Sequence, residues 1–267
     1  MDALNPEPSP GSTRWPELTA DDVEAYAWQI PGGGFGELAQ RRLKGASVLV
    51  SRVGGLGGMV AFELAAAGVG RLILAHGGNL RSDDLNRQLL MTHDHIGKPR
   101  IDSAVARLKA LNPRVEIVPE PSNITEDNVA RLVGLADVVV DCAPLFEERY
   151  RLNREAMRQG RPMVEAAVYD LELHLTTFVP GVTGCLRCLY PQQSLTWTRQ
   201  FPVLGAVSGA AGGMAALEAI KVITGVAPPL AGRLITLDLR TYQLSRLKIG
   251  RIAGCVDCAP GAGGKAS

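Results

Sequence analysis

The chain has 267 residues and 46% of them are hydrophobic, enough to bury one large α/β core or two small ones. Its 28 basic and 27 acidic residues leave a net charge of +1, which gives no electrostatic drive towards nucleic acid or a membrane surface. No uninterrupted apolar run approaches the roughly 20 residues of a bilayer span, and the N-terminus lacks a signal-peptide pattern. We therefore expect a soluble cytoplasmic protein that binds neither nucleic acid nor membrane, with disordered tails at residues 1–16 and 261–267.

Alternating helices and strands are predicted for the first part of the chain. One or two helices span residues 19–44 and are broken at PGGGFG. The strand SVLVS, a glycine turn, the helix MVAFELAAAG and the strand RLILA then form a βαβ unit, which implies parallel strands.

The same alternation continues after a short helix expected at DDLNRQLLM. The segment KPRIDSAVARLKALN places Ile101, Ala104, Val105 and Leu108 at the spacing of one buried helix face. A strand at VEIVP, a helix at EDNVARLVGL and a strand at DVVVDC follow. The last strand is continuously apolar and β-branched, as is typical of a strand buried on both faces.

The second half of the chain has a different pattern. PMVEAAV and LELHLTTFVPG are predicted strands separated by only a few residues, a spacing typical of an antiparallel pair. AVSGAAGGMAALEAIKVITG is a helix rich in small residues, and RLITLDLRTYQLSRLKI ends the fold with strands. The predicted fold class is α/β: a Rossmann-like parallel half continued by an antiparallel half in one mixed sheet, within a single domain over residues 17–260.

The glycine turn VGGLGG lies directly before a predicted helix and carries Gly54, Gly55 and Gly57. Glycines let the backbone approach a phosphate, and the helix N-terminus supplies amide groups and a positive dipole. Close packing of the helix against its strand is the alternative reason for the same glycines. A dinucleotide fold would place an acid after the second strand, but His76 stands there, which disfavours a nicotinamide cofactor.

The segment DDLNRQ places Arg87 among acids and amides, and Arg100 begins the next predicted helix. A charged helix end in solvent is one interpretation. The other is a triphosphate site, in which two arginines converge over the glycine turn, because guanidinium groups pair with phosphate bidentately.

Four of the five cysteines form two CxxC pairs, Cys185 with Cys188 and Cys255 with Cys258. In a reducing compartment such pairs favour metal over disulfides, and four thiolates make a closed, structural zinc site. Four reduced thiols without metal are the alternative. The fifth cysteine, Cys142, lies in an apolar run and is expected to be an inert core residue of a strand.

Taken together, several stretches resemble the ThiF/MoeB/HesA family, the bacterial relatives of ubiquitin-activating enzymes. They are GGLGG, DLNRQLLMTHDHIGKPR, ARLKALNP, ADVVVDC, CLRC, GAVSG, ALEAIKVITG and CVDC. They follow the family's order and spacing over roughly residues 22–260. The region from MVEAAV to CLRCLYP and the segment HGGNLRSDDLNRQ are most similar to the HesA branch, which is associated with nitrogen-fixation gene clusters.

The resemblance implies a ThiF/MoeB-type fold and an adenylation reaction that uses ATP and Mg²⁺. AMP is joined to a carboxylate, usually the C-terminal glycine of a small ubiquitin-like sulfur-carrier protein, and pyrophosphate is released. The resemblance also implies a homodimer, in which one subunit lends an arginine to the other's site, and a structural Zn²⁺.

Carried over onto this chain, the resemblance assigns catalytic, phosphate-binding roles to Arg87 and Arg100. Arg100 falls on a lysine of the family, so that a planar guanidinium replaces a point charge. The nucleotide-binding residues implied in this way are Gly54, Gly55, Gly57, Asn86, Arg87, Gln88 and Arg100.

Four positions depart from the family pattern. Arg52 replaces the first glycine of the turn, and His76 replaces the aspartate that binds ribose. Trp28 falls on the arginine lent by the partner, and Pro144 falls on the metal-binding second acid of DCxDN. Each loss removes a contact worth about 1–3 kcal/mol.

Two functions therefore compete. One is an ATP-dependent adenylyltransferase acting in sulfur transfer or nitrogenase-cofactor-related metabolism. The other is a catalytically decayed relative that serves as a binding scaffold or as the inert half of a heterodimer. Arg52 either blocks the adenosine or binds the phosphates, and Glu147 is the candidate replacement for the metal acid. Because the ribose and metal acids are both lost, we expect Arg52 to block and the phosphate turn to keep its shape with weak affinity.

Overall fold

The structure, a computed structural model, describes residues 15–192 and 201–259. The strands are β1 (Ser47–Ser51), β2 (Arg71–Ala75), β3 (Glu116–Glu120), β4 (Val138–Asp141), β5 (Met163–Tyr169), β6 (Glu172–Phe178), β7 (Arg233–Asp238) and β8 (Gln243–Lys248). The helices are α1 (Ala20–Ala25), α2 (Gly36–Lys44), α3 (Gly55–Ala67), α4 (Arg100–Leu111), α5 (Glu126–Gly134), α6 (Phe146–Arg158), α7 (Leu186–Leu189) and α8 (Gly205–Thr224). Of the two predicted tails, only Trp15 and Pro16 fall within the described residues, and the backbone carbonyl groups of both accept hydrogen bonds from Arg41 of α2.

The described strands form one sheet in the order β3-β2-β1-β4-β5-β6-β7-β8. Pairing is parallel from β3 through β5 and antiparallel from β5 through β8. The strand order reverses direction between β1 and β4, which is the place where open α/β sheets leave a crevice at the carboxyl ends of their strands. The predicted mixed α/β sheet is confirmed.

Helices cover both faces of the parallel half. Along β1, Val48 and Val50 pack with α3, α4 and α8 on one face, whereas Leu49 packs with α5 and α6 on the other. All three residues are fully buried. This two-sided burial is the physical reason why the parallel strands are continuously apolar instead of alternating.

The structure differs from the sequence prediction at several places. Helix α6 was not anticipated, because its charged residues obscure the apolar positions that face the core. The helix expected at DDLNRQLLM is wrong, since that stretch holds one short 3₁₀ turn at Ser82–Asp84 followed by irregular backbone. Cys142 is not inside a strand either: it follows the end of β4 and lies at the wall of a cavity.

Helix α8 packs closely against α3 inside the same subunit. A Cβ on Gly212 would lie 2.6 Å from the carbonyl oxygen of Leu56 and 2.6 Å from Cβ of Met59. Contact inside one chain therefore explains this small residue. Helix α8 is also, within the described residues, the one helix that is long and apolar enough to cross a membrane, and 56% of its apolar window is buried.

The neighbouring glycines of α8 give a matched test of this contact. Gly212→Ala is expected to destabilise the protein by about 1–3 kcal/mol, because the new methyl group meets backbone that cannot move aside. Gly213 has nothing within 4 Å of its Cβ position, so Gly213→Ala is expected to stabilise the helix by about 0.5–1 kcal/mol. Urea unfolding midpoints measure both, and equal effects of the two substitutions would contradict the packing.

Candidate functional site

A cavity of about 920 Å³ opens at the carboxyl ends of the parallel strands. Its walls come from the glycine turn after β1, the segment after β2 that reaches Gln88, the loop after β4 and the paired strands β5 and β6. Gly54, Gly55, Asn86, Arg87 and Arg100 all line it, together with Gln88. The structure therefore brings six of the seven predicted nucleotide-binding residues to one space.

The glycine turn brings the N-terminus of α3 to the wall of this cavity. Gly54 is the N-cap of α3, and no side chain caps the helix, so its first amides have no partner within the helix. A Cβ on Gly55 would lie 3.2 Å from Cγ of Arg87. Gly57 does not line the cavity. A Cβ on Gly57 would lie 2.4 Å from the carbonyl oxygen of Arg52, so no larger residue fits there. Gly57 therefore serves the close packing of helix and turn.

Two buried acceptors lie beside the turn. Cε1 of His76 and Cδ of Gln88 are each 3.7 Å from the position that a Cβ on Gly54 would occupy. Burial, reinforced by the charges of Arg100 and Arg52, lowers the pKa of His76 to about 3, so its ring is neutral at pH 7. Among the described residues, neither Nδ1 of His76 nor Oε1 of Gln88 has a hydrogen-bond partner. Both atoms could accept from a ligand's hydroxyl groups.

Asp84 organises the predicted phosphate arginines, a role that the sequence analysis missed. Its Oδ2 accepts from Nε and an amino group of Arg100, at 3.2 and 2.5 Å. Its Oδ1 accepts from Arg87 at 3.2 Å and from Nε2 of Gln88 at 2.7 Å. Burial raises the pKa of Asp84, but the hydrogen bond from Arg100 and further donors outweigh it and leave the pKa below its usual value. The two arginines are thereby fixed at the cavity wall.

The four residues that depart from the family pattern do not all lie at the cavity. His76, Arg52 and Pro144 line the cavity. Trp28 does not line it and is 98% exposed as a residue. Glu147 pairs with Arg151 outside the cavity. Glu147 therefore does not replace the missing metal acid.

A second buried charge cluster, centred on Arg149 at the cavity wall, was also missed. Arg149 of α6 donates to Oε1 of Glu165 at 2.8 Å, and its Nε lies 3.4 Å from Oδ2 of Asp141. Burial, opposed by the charge of Arg149, raises the pKa of Glu165 to about 6. One pattern in the sequence could have indicated these buried charges. Glu148 and Arg149 lie one helical turn before Leu152, on the helix face that Leu152 buries.

The four paired cysteines converge at a separate place in the fold. Their sulfur atoms all lie within 4.8 Å of one another. Sγ of Cys185 is 3.7 Å from Sγ of Cys255, and Sγ of Cys188 is 3.5 Å from Sγ of Cys258. A tetrahedral zinc ion with bonds of about 2.3 Å needs sulfur atoms about 3.8 Å apart. The donor set and its spacing therefore fit one zinc ion.

Asn153 of α6 joins the two cysteine loops. Its Oδ1 accepts from the amide of Leu186 at 2.9 Å, and its Nδ2 donates to Asp257 at 2.8 Å. Arg187 also donates to Asp257, at 3.1 Å, and lies over the ring of Tyr150 at 4.3 Å. The cysteine cluster is thus held by a network that connects it to α6.

This chain belongs to the ThiF family, which it matches over residues 26–256. It is 49% identical over 241 residues to the heterocyst protein HesA of Trichormus variabilis, with 90% of each chain covered. It is 34% identical over 254 residues to the sulfur carrier protein adenylyltransferase of Thermus thermophilus, covering 92% of this chain and 93% of that one. The resemblance seen in the sequence, including its HesA branch, is confirmed.

The fold is similar to that of E. coli MccB, solved with MccA-N7isoASN. The TM-score is 0.79 at 22% sequence identity, and the similarity covers 90% of this chain and 75% of MccB. At this identity the similarity concerns the fold alone, and it agrees with the mixed sheet described above.

Proposed function

We propose that this protein is an ATP-dependent adenylyltransferase of the ubiquitin-activating type, which joins AMP to a carboxylate and releases pyrophosphate. The observation that carries the proposal is the cavity, which is adjoined by the uncapped N-terminus of α3 and, within the described residues, by two acceptors without a partner. The amides of the α3 N-terminus suit phosphate oxygens, and Nδ1 of His76 and Oε1 of Gln88 suit hydroxyl groups of a ribose. The Thermus relative, named as a sulfur carrier protein adenylyltransferase, supports the same reaction class.

In this proposal, the chain's own residues bind and orient the triphosphate. Gly54 and Gly55 let the turn approach it, and Asn86 lies at the cavity wall beside Arg87. Arg87 and Arg100 stabilise negative charge that builds on the transferring phosphoryl group. Asp84 holds both guanidinium groups in place before the substrate arrives, which reduces the reorganisation needed during the reaction.

A Mg²⁺ ion bound by a pair of protein carboxylates does not fit the described residues beside Pro144. Asp141 is fully buried behind the cavity, and Glu147 lies outside it. Mg²⁺ commonly keeps several waters and binds through substrate phosphates. We therefore assign no protein carboxylate to it.

We infer that residues of β5, β6 and the segment after α7 form the part of the cavity wall that receives the carboxylate substrate. The cavity is lined there by Ala167 of β5, His174 of β6 and Tyr190. The hydroxyl oxygen of Tyr190 lies 3.5 Å from Nδ1 of His174. We infer that the substrate is the C-terminus of a small ubiquitin-like sulfur carrier, and the name of the Thermus relative, a sulfur carrier protein adenylyltransferase, supports this inference. We also propose a role in sulfur transfer or nitrogenase-cofactor-related metabolism, which rests on the similarity to HesA.

A structural zinc at the four cysteines and a homodimer complete the proposal. The dimer rests on the family resemblance alone. Helix α8 adds no separate support, because contact with α3 inside one subunit explains Gly212. Light scattering at micromolar concentration should give twice the monomer mass of 28.4 kDa. A single-chain mass would contradict the dimer and leave the cavity proposal intact.

The alternative function is a catalytically decayed scaffold. It is supported by Pro144 at the position of the family's metal-binding acid, and by the ion pairs that Arg87 and Arg100 already form with Asp84. Calorimetry with ATP and Mg²⁺ separates the two functions. We expect a dissociation constant below about 100 μM, equivalent to about −5.5 kcal/mol. We also expect ATP–pyrophosphate exchange that depends on a ubiquitin-like carrier ending in glycine. The absence of heat at millimolar ATP would defeat the adenylyltransferase and favour the scaffold.

A further inference from the structure

Arg52 has a backbone conformation that side chains rarely adopt. Its φ angle is 62°, in the left-handed region, and its carbonyl oxygen accepts a hydrogen bond from the amide of Gly54 at 2.6 Å. This conformation is strained for a residue that has a Cβ, and residues strained in this way cluster at functional sites. A glycine would adopt the same turn without that strain. We therefore look to the contacts of the Arg52 side chain for the role of an arginine at this position.

A buried carboxylate fixes the direction of that side chain. Nε of Arg52 donates to both oxygens of Glu148, at 3.1 and 2.8 Å. Glu148 also accepts from the amide of Ile124, which ties it to the loop before α5. The side chains of Arg52 and Glu148 are only 11% and 5% exposed. The pair therefore holds the guanidinium group at one place on the cavity wall.

Arg52 keeps more free donors than the other buried arginines of the cavity. Arg100 uses Nε and both amino groups, on Asp84 and the carbonyl of Gly77. Arg149 likewise uses all three of its nitrogen atoms. Within the described part of the chain, Arg52 forms hydrogen bonds through Nε alone. Arg52 lines the same cavity as Gly54 and Gly55, so its two terminal amino groups remain for a ligand bound there.

We propose that Arg52, oriented by Glu148, is a phosphate-binding residue of the nucleotide site. The edge formed by its two amino groups matches two oxygens of a phosphate group, while Nε remains on the carboxylate. Glu148 acts through Arg52 and is a positioning residue. This assignment rests on the proposed nucleotide function, and it argues against our expectation that Arg52 blocks the adenosine.

The test is calorimetry of the full chain with ATP, AMP, adenosine and inorganic tripolyphosphate. Arg52→Gly is expected to weaken ATP and tripolyphosphate binding at least about tenfold, the loss of one charge-assisted contact. Adenosine binding should change by less than about twofold. Glu148→Gln should weaken ATP binding by a smaller factor. Arg154→Met, which removes an exposed arginine of α6 outside the cavity, should bind all four ligands like the wild type.

The double variant Arg52→Gly with Glu148→Gln removes the buried pair together and keeps the test available if the single variants fail to fold. Tighter or unchanged ATP binding by the Arg52 variants would overturn the assignment while leaving the proposed function in place. If the wild type binds tripolyphosphate through Arg52 but does not bind ATP, the proposed function fails, and Arg52 remains a phosphate-binding residue of a cavity that takes no nucleotide. If the wild type binds neither ligand, both fail.

Discussion

Cys255→Ser should abolish stoichiometric zinc binding and lower the thermal unfolding midpoint by about 10 °C. Each sulfur supplies one corner of the cluster, and a closed site with three thiolates leaves an open position and loses affinity. Loss of a structural metal is among the few single changes that cost more than about 4 kcal/mol. In a domain of this size, each kcal/mol corresponds to about 2–4 °C.

The matched control for this prediction is Cys142→Ser. Cys142 lies at the cavity wall and outside the four-cysteine cluster, so its variant should retain one equivalent of zinc. Metal content after chelator washing and the thermal midpoint are measured for both variants. Less than about half an equivalent of zinc in the wild type, or an unchanged midpoint for Cys255→Ser, would contradict a structural zinc site.

The four-cysteine cluster and the glycine turn could be predicted because their spacing carries the chemistry. Cys185 and Cys255 are 70 residues apart in sequence, but each belongs to a CxxC pair that marks it as a candidate metal ligand without knowledge of the fold. The parallel strands were equally accessible, since burial on both faces makes each of them continuously apolar. Local pattern was sufficient for these features.

The ion pairs around the cavity could not be predicted in the same way. Arg52 and Glu148 are 96 residues apart, and no spacing distinguishes a buried charge pair from two solvated charges. Helix α6, which supplies Glu148, was itself missed, because charge masks its apolar face. The consequence is specific: the direction of the Arg52 side chain, and with it the expected sign of its effect on ATP binding, depends on a tertiary contact.

Asp84 presents the same difficulty with a larger energetic consequence. In the sequence it is one of two adjacent acids, and nothing separates it from Asp83. In the structure, the Asp84 side chain is 7% exposed and holds Arg100, whereas the Asp83 side chain is 63% exposed and pairs with Arg81 at the surface. The two acids should therefore respond very differently to the same substitution.

Asp84→Ala is expected to destabilise the protein by about 3–5 kcal/mol at pH 7, because it leaves the buried guanidinium group of Arg100 without its partner. Asp83→Ala is the control and should cost no more than about 1 kcal/mol, as exposed ion pairs do. Urea unfolding measures both. Similar losses for the two variants would contradict the buried role of Asp84.

The pH dependence of this loss identifies the charge as its cause. The pKa of Asp84 is held below its ordinary value, because the hydrogen bonds from Arg100 and further donors outweigh the effect of burial. An acid with a lowered pKa stabilises the folded state above its unfolded pKa of about 3.9, and this contribution is lost as the pH falls through the folded pKa. The difference between wild type and Asp84→Ala should thus stay constant from pH 7 to 5 and shrink below about pH 4. A difference that persists unchanged to pH 3 would mean that Asp84 acts through packing rather than through its charge.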